Sequence, residues 1–142
     1  MDRPEEYETT IMLNVSFIKL TELPSWVNEC KKLKILYCCK NKITRLDNLP
    51  KTLEYLDCSE NQITQLDKLP ETLEKLDCYS NKIRHLDNLP QKLKALNCSD
   101  NSITQLDKLP NTLEKLFCYN NLLKYNFKIT LENIRNYINQ NK

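Results

Sequence analysis

The residues of this chain that could do chemistry are seven cysteines, a single histidine and a row of aspartates. Cys38, Cys58, Cys78, Cys98 and Cys118 recur every twenty residues, and so do Asp47, Asp67, Asp87 and Asp107. A thiol beside an imidazole could be a nucleophile pair, grouped thiols could hold zinc, and stacked carboxylates could hold calcium. The spacing speaks against all three. Zinc sites of this kind want paired cysteines, and the only adjacent pair, Cys38 and Cys39, alternates to opposite faces of a strand. His85 fills a slot held elsewhere by Arg45, Gln65 and Gln105, so it reads as a surface residue. Cys78, seven residues before it, points inward. The aspartates offer one carboxylate per repeat, with Lys68 and Lys108 beside two of them, and read as acceptors for the N–H groups of the following turn. Glycine is absent, which removes a phosphate cradle of the usual glycine-rich kind. The expectation is therefore no catalytic residue, no metal and no cofactor, and not an enzyme.

These residues take their places from the repeat itself. Each unit, aligned from Leu33, Leu53, Leu73, Leu93 and Leu113, reads Leu, two variable residues, Leu, one variable residue, Cys, two variable residues and Asn. The inner leucines are Leu36, Leu56, Leu76, Leu96 and Leu116, and the asparagines are Asn41, Asn61, Asn81, Asn101 and Asn121. Ile43, Ile63, Ile83, Ile103 and Leu123 follow, and then Leu46, Leu66, Leu86 and Leu106; Leu-Pro closes four units, from Leu49-Pro50 to Leu109-Pro110. A fixed period of this length signals a solenoid. Leu-x-Cys alternates as a short strand does, with Leu36 and Cys38 inward and Ile35, Tyr37 and Cys39 outward. Twenty residues leave too little chain for a full return helix, and proline suits an extended or single-turn return. The cysteines act as small hydrophobes in the core. The asparagines enter a buried turn, where one amide side chain can satisfy its own turn and its neighbour's. Without glycine, left-handed turn positions must fall to other residues, Asn and Asp by preference.

The ends depart from the period. Leu13-Asn14-Val15 matches Leu36-Tyr37-Cys38 at a distance of twenty-three residues. The three extra residues lie near Trp26, Val27 and Cys30, enough for a helical turn that packs Trp26 inward. Ile18 stands where later units carry Asn, so the asparagine ladder starts one coil late. After Leu123 the register breaks, and Thr130 can cap a helix carrying Leu131, Ile134, Tyr137 and Ile138 on one face. This helix is expected to cover the last coil, with Lys142 fraying beyond it.

The motif carried by Leu53, Leu56, Cys58, Asn61, Ile63 and Leu66 and their equivalents resembles that of leucine-rich repeat proteins, from about Leu13 to Tyr125. The period with Leu-Pro at the junction resembles the shortest, twenty-residue repeat class, found in bacterial effectors. The Leu-x-Cys variant, the Ile-Thr-x-Leu-Asp run and the Asn-rich C-terminal segment resemble leucine-rich repeat proteins of giant DNA viruses. The resemblance implies a right-handed α/β-class solenoid, strand-rich, with a parallel concave β-sheet and, here, a C-terminal capping helix. The length of 142 residues suggests a single domain over 1–142, and the register divides it into an N-terminal flank at 1–12, repeats at 13–123 and a cap at 124–142. The resemblance also implies a protein partner on the concave sheet. Cysteine replaces the usual second strand leucine, which changes packing volume and leaves the topology intact. Effector ligases of the short-repeat class carry a separate domain with a nucleophilic cysteine; that activity does not carry over.

The outward strand positions vary where the inward ones repeat. They are Ile35, Tyr55, Lys75, Ala95 and Lys115, then Tyr37, Asp57, Asp77, Asn97 and Phe117, then Cys39, Ser59, Tyr79, Ser99 and Tyr119. The candidate partner-binding residues are Tyr37, Tyr55, Asp57, Lys75, Asp77, Tyr79, Asn97, Phe117 and Tyr119, since aromatic side chains dominate binding hot spots. Tyr37 and Tyr55 should lie close, Phe117 and Tyr119 should lie near Tyr79, and Asp57 and Asp77 should form an acidic centre. Cys39 should be the one exposed strand cysteine. Aromatic residues also favour strands for packing alone.

Composition narrows the partner. The 142 residues carry a formal net charge of +2 with both signs interspersed. This gives no electrostatic case for nucleic acid, against which Asp57 and Asp77 also stand. No apolar run is long enough for a membrane span. Residues 1–10 carry Glu5, Glu6 and Glu8 and no apolar core of a signal segment. The reading is a monomeric protein-interaction module in a reducing cytoplasm, that of the host if the source is viral. The alternatives are a structural component without a concave-face ligand and, behind it, a nucleic-acid binder.

Overall fold

The computed structural model describes Arg3 and residues 5–141. Lys142 lies outside the described residues. Six three-residue strands stack in parallel in sequence order: β1 (Met12–Asn14), β2 (Ile35–Tyr37), β3 (Tyr55–Asp57), β4 (Lys75–Asp77), β5 (Ala95–Asn97) and β6 (Lys115–Phe117). The register pairs Leu13 with Leu36, Leu56, Leu76, Leu96 and Leu116 in turn, so the twenty-three-residue first unit still enters the sheet in step. Each strand is short because the inward Leu and Cys must face coils on both sides, and the asparagine then turns the chain away.

The core is a stack of identical layers. Leu33, Leu53, Leu73 and Leu93 are fully buried, as are Cys38, Cys58, Cys78 and Cys98. A parallel strand pair holds equivalent residues about 4.8 Å apart, so each leucine meets its own kind above and below. The return path is irregular, and its one recurring turn has the amide of Leu53, Leu73, Leu93 or Leu113 donating to the carbonyl of the proline three residues earlier. Thr52, Thr72 and Thr112 form a further ladder, donating to Leu33, Leu53 and Leu93 carbonyls of the preceding coil at 2.8–2.9 Å.

The asparagine ladder does the double duty expected of it. Asn61 Nδ2 donates to the carbonyls of Cys38, Cys58 and Ser59, and Asn61 Oδ1 accepts the Ile43 amide at 2.9 Å. At the start of the ladder Asn41 Oδ1 accepts the amides of Ile18 and Leu20, serving the coil that has no asparagine of its own. The residue before each asparagine, namely Lys40, Glu60, Ser80, Asp100 or Asn120, has φ between 51° and 53°. Only two of these five are Asp or Asn. The left-handed position is imposed by the hydrogen-bonded asparagine that follows, and it overrides local preference.

Both ends are built as the sequence suggests. A 3-10 turn at Ser25–Glu29 fills the extra length of the first unit and buries Trp26 and Val27. The C-terminal helix α1 (Leu131–Gln140) is capped by Thr130, whose hydroxyl accepts the Asn133 amide at 3.1 Å. Ile134 is fully buried, Leu131 and Ile138 pack partly against the core, and Tyr137 joins an aromatic group with Tyr125 and Phe127. Arg135 fixes the helix by donating to the carbonyls of Leu113 at 2.6 Å and Asn111 at 3.0 Å.

The aspartate row departs from its expected role. Asp47 pairs with Arg45, Asp87 with Lys108, and Asp107 accepts the Tyr125 hydroxyl. Their partners are side chains, and among the described residues no N–H of the following turn donates to them.

Candidate functional site: the outward face of the sheet

The outward positions form three columns across the sheet. One runs Asn14, Tyr37, Asp57, Asp77, Asn97 and Phe117, and its flank runs Ile35, Tyr55, Lys75, Ala95 and Lys115. The third column, from Cys39 to Tyr119, follows where the strands end. Tyr37 and Tyr55 meet with ring centroids 5.4 Å apart and planes inclined at 52°. Both rings are half-buried, while Lys75, Lys115, Phe117 and Tyr119 are exposed.

Asp57 and Asp77 sit side by side in register. Asp57 Oδ1 accepts from the Ser59 amide at 3.0 Å and the Ser59 hydroxyl at 2.6 Å. Asp77 Oδ1 accepts the Tyr79 amide at 3.0 Å, and its Oδ2 accepts Asn97 Nδ2 at 3.3 Å. Each side chain thus closes the turn that ends its own strand. Asn14 and Asn97 do the same with the amides of Ser16 and Ser99. Burial holds the Asp77 carboxyl above its ordinary range; hydrogen bonds from Tyr79 and Asn97 oppose this, and the Asp57 charge adds to it. Tyr55 is pushed up to about 12, first by burial and then by the Asp57 charge.

Three expectations for this face need correction. Phe117 and Tyr119 contact each other, with centroids 6.4 Å apart, but among the described residues neither ring contacts Tyr79. The Ser99 coil separates Tyr79 from Tyr119. Ser99 is fully buried, and its hydroxyl has no hydrogen-bond partner, so it offers nothing to a ligand. Cys39 is half-covered, and its thiol donates to the Ser16 hydroxyl at 3.2 Å. Alternation gives direction only; burial also depends on the bulk of the neighbouring coils.

Burial pushes the Cys38, Cys58, Cys78 and Cys98 thiols far up, which keeps them protonated and poor nucleophiles. His85 is exposed. Among the described residues no group of three or more His, Cys, Asp or Glu is arranged to hold a metal. A groove of about 990 Å³ lies beside the 3-10 turn, bordered by Lys19, Glu22, Trp26, Arg45 and Asp47, with Arg45 committed to Asp47.

A family model described as Leucine Rich Repeat matches residues 52–76. The leucine-rich repeat domain of a Shigella effector is similar over 86% of this chain and 55% of its own, with 30% identity and a TM-score of 0.77. The functional domain of InlJ from Listeria monocytogenes, described as including a cysteine ladder, is similar over 90% of this chain and 29% of its own, with 36% identity and a TM-score of 0.73. YopM from Yersinia enterocolitica is similar over 76% of this chain and 23% of its own, with 34% identity and a TM-score of 0.65. The chain therefore spans about half, or less, of the length of these structures. No curated protein matches the sequence. Residues 52–76 match the leucine-rich repeat sequence, and the chain shares the fold of these leucine-rich repeat structures.

Proposed function

We propose that this leucine-rich repeat solenoid is an interaction module that holds a protein partner on the concave face of its sheet. The observation that carries the reading is the division of each strand. Inward residues repeat without change, while outward ones vary and include the Tyr37–Tyr55 pair and the exposed Phe117–Tyr119 pair. The mechanism is rigid display: a preformed sheet loses little conformational freedom on binding. Tyr37, Tyr55, Asp57, Lys75, Asp77, Tyr79, Asn97, Phe117 and Tyr119 are the proposed contact residues. The test is cross-linking capture from the cell that makes the protein, comparing Ala95→Arg, which blocks the middle of the face, with Lys51→Glu on the return path. Loss of capture with Ala95→Arg alone is the expected result; equal capture by both variants refutes the concave site.

A specific observation favours one rival. Ile11, Phe17 and Ile18 are exposed in the first coil, which suits a structural component making contacts through its end. Under that rival, Phe17→Ser abolishes capture and Ala95→Arg does not.

The finer readings rest on the same footing. The twenty-residue period and Leu-Pro junctions support the short repeat class, and the Leu-x-Cys variant supports a giant-virus source. A reducing cytoplasm suits seven free cysteines, six of them buried. Thiol alkylation of protein recovered from its cell checks this, and any native disulfide would contradict it.

A further inference from the structure

The carboxylates of Asp57 and Asp77 are surplus to the fold. Their turn-closing role needs only an acceptor oxygen, and Asn14 and Asn97 fill that role in the same column with an uncharged amide. Like charges directly opposite on adjacent strands destabilise a sheet, so two aspartates in register carry a structural cost that two asparagines would not. No lysine or arginine of this chain forms an ion pair with either one among the described residues. Beside this uncompensated charge stand the rings of Tyr37, the register neighbour of Asp57, and Tyr55, two residues before it. The effect of the Asp57 and Asp77 charges on the Tyr55 hydroxyl shows that rings and carboxylates share one field.

We infer that this part of the sheet receives an arginine side chain of the protein partner, its guanidinium stacked on the Tyr37–Tyr55 pair and hydrogen-bonded to Asp57 and Asp77. A planar cation is the group that fits both halves of the site. A guanidinium stacks on an aromatic face and donates two parallel hydrogen bonds to a carboxylate, whereas an ammonium is a compact, strongly hydrated charge that does neither as well. The remaining acceptor capacity is there: among the described residues Asp57 Oδ2 makes no hydrogen bond, and Asp77 Oδ2 makes only the 3.3 Å contact to Asn97. This inference rests on the concave-face reading and names the chemistry of what binds there.

The test titrates the full chain with N-acetyl-arginine amide and, separately, N-acetyl-lysine amide, following backbone amide resonances. The expected result is saturable movement of Tyr37, Tyr55, Asp57 and Asp77, with arginine about fivefold tighter than lysine. Asp57→Asn with Asp77→Asn keeps both turns closed and should abolish the movement. Tyr37→Leu, which leaves the acids in place, should remove the preference for arginine over lysine. No movement at these residues up to about 50 mM ligand, equal binding of the two amides, or unchanged binding in the asparagine variant each overturns the inference. The wider reading is judged separately. If Ala95→Arg still loses the partner while arginine fails to bind, only the arginine assignment falls. If Ala95→Arg retains the partner, the concave site itself falls.

Discussion

The side-chain oxygen of Asn61 accepts the amide of Ile43, 2.9 Å away and one coil back. The same bond recurs from Ile63 to Asn81, Ile83 to Asn101 and Ile103 to Asn121. Each coil is therefore closed by the next one, which gives a nearest-neighbour account of stability. Asn81→Ala should leave the Ile63 amide without its side-chain acceptor, while the Cys58 and Cys78 carbonyls keep only their second donors, Asn61 and Asn101. The expected loss is about 1–3 kcal/mol, read as a lower urea midpoint. An unchanged midpoint would mean that the turn is solvated.

Ser80 occupies the left-handed position with φ of 51°, and among the described residues its hydroxyl makes no hydrogen bond. A residue with a Cβ gives up about 1–2 kcal/mol there, and glycine gives back about 0.5–1 of that in chain entropy. Ser80→Gly should therefore stabilise the protein by about 0.5–1 kcal/mol in urea or thermal unfolding. Destabilisation would show that the serine side chain contributes a contact.

Much of this architecture can be read in the sequence, and the reason is physical. A buried layer tolerates one size and shape, so Leu56, Cys58, Asn61 and Ile63 recur in register and announce themselves. Positions decided by neighbours in space do not. The alternation that turns Ser99 outward says nothing of how deeply the adjacent coils bury it. The left-handed residues Lys40, Glu60 and Ser80 share no side-chain chemistry, because the asparagine after them sets their geometry. The threonine ladder was hidden by Lys92, which stands in the slot of Thr72 and Thr112. For the candidate site, sequence gave the composition of the face and the Tyr37–Tyr55 contact. The turn-closing role of Asp57, Asp77 and Asn97 needed the geometry, although the common spacing of Asx two residues before Ser or Tyr was its available signal.

Arg135 ties the cap to the last coil through the Leu113 and Asn111 carbonyls. Arg135→Met keeps the apolar stem and removes these donors. A loss of about 1–3 kcal/mol is expected, with faster amide hydrogen exchange in β6 and α1 than in β3. Uniform exchange changes along the whole solenoid would contradict an end-specific role.

The Asp77 carboxyl lies above its ordinary range when folded, because of burial first and the Asp57 charge also. A raised acid binds its proton more tightly in the native state. Its ionisation therefore costs stability above the folded pKa, and the cost vanishes below the unfolded one. Asp77→Asn retains the bond to the Tyr79 amide and gives up the 3.3 Å contact from Asn97 at every pH, so its urea midpoint relative to the unsubstituted chain should be higher at pH 7 than at pH 3. A relative midpoint lower at pH 7 than at pH 3 would show that the charge itself supports the fold.

The central claim is that the varied outward face, and not the return path, meets the partner. Lysine acetylation footprinting of the captured complex tests it most directly, because exposed lysines mark both surfaces. Lys75 and Lys115 lie on the concave face, and Lys51 and Lys92 follow the prolines of the return path. Protection of Lys75 and Lys115 with Lys51 and Lys92 still reactive is the predicted result. Protection of Lys51 and Lys92 with Lys75 and Lys115 still reactive would contradict the account.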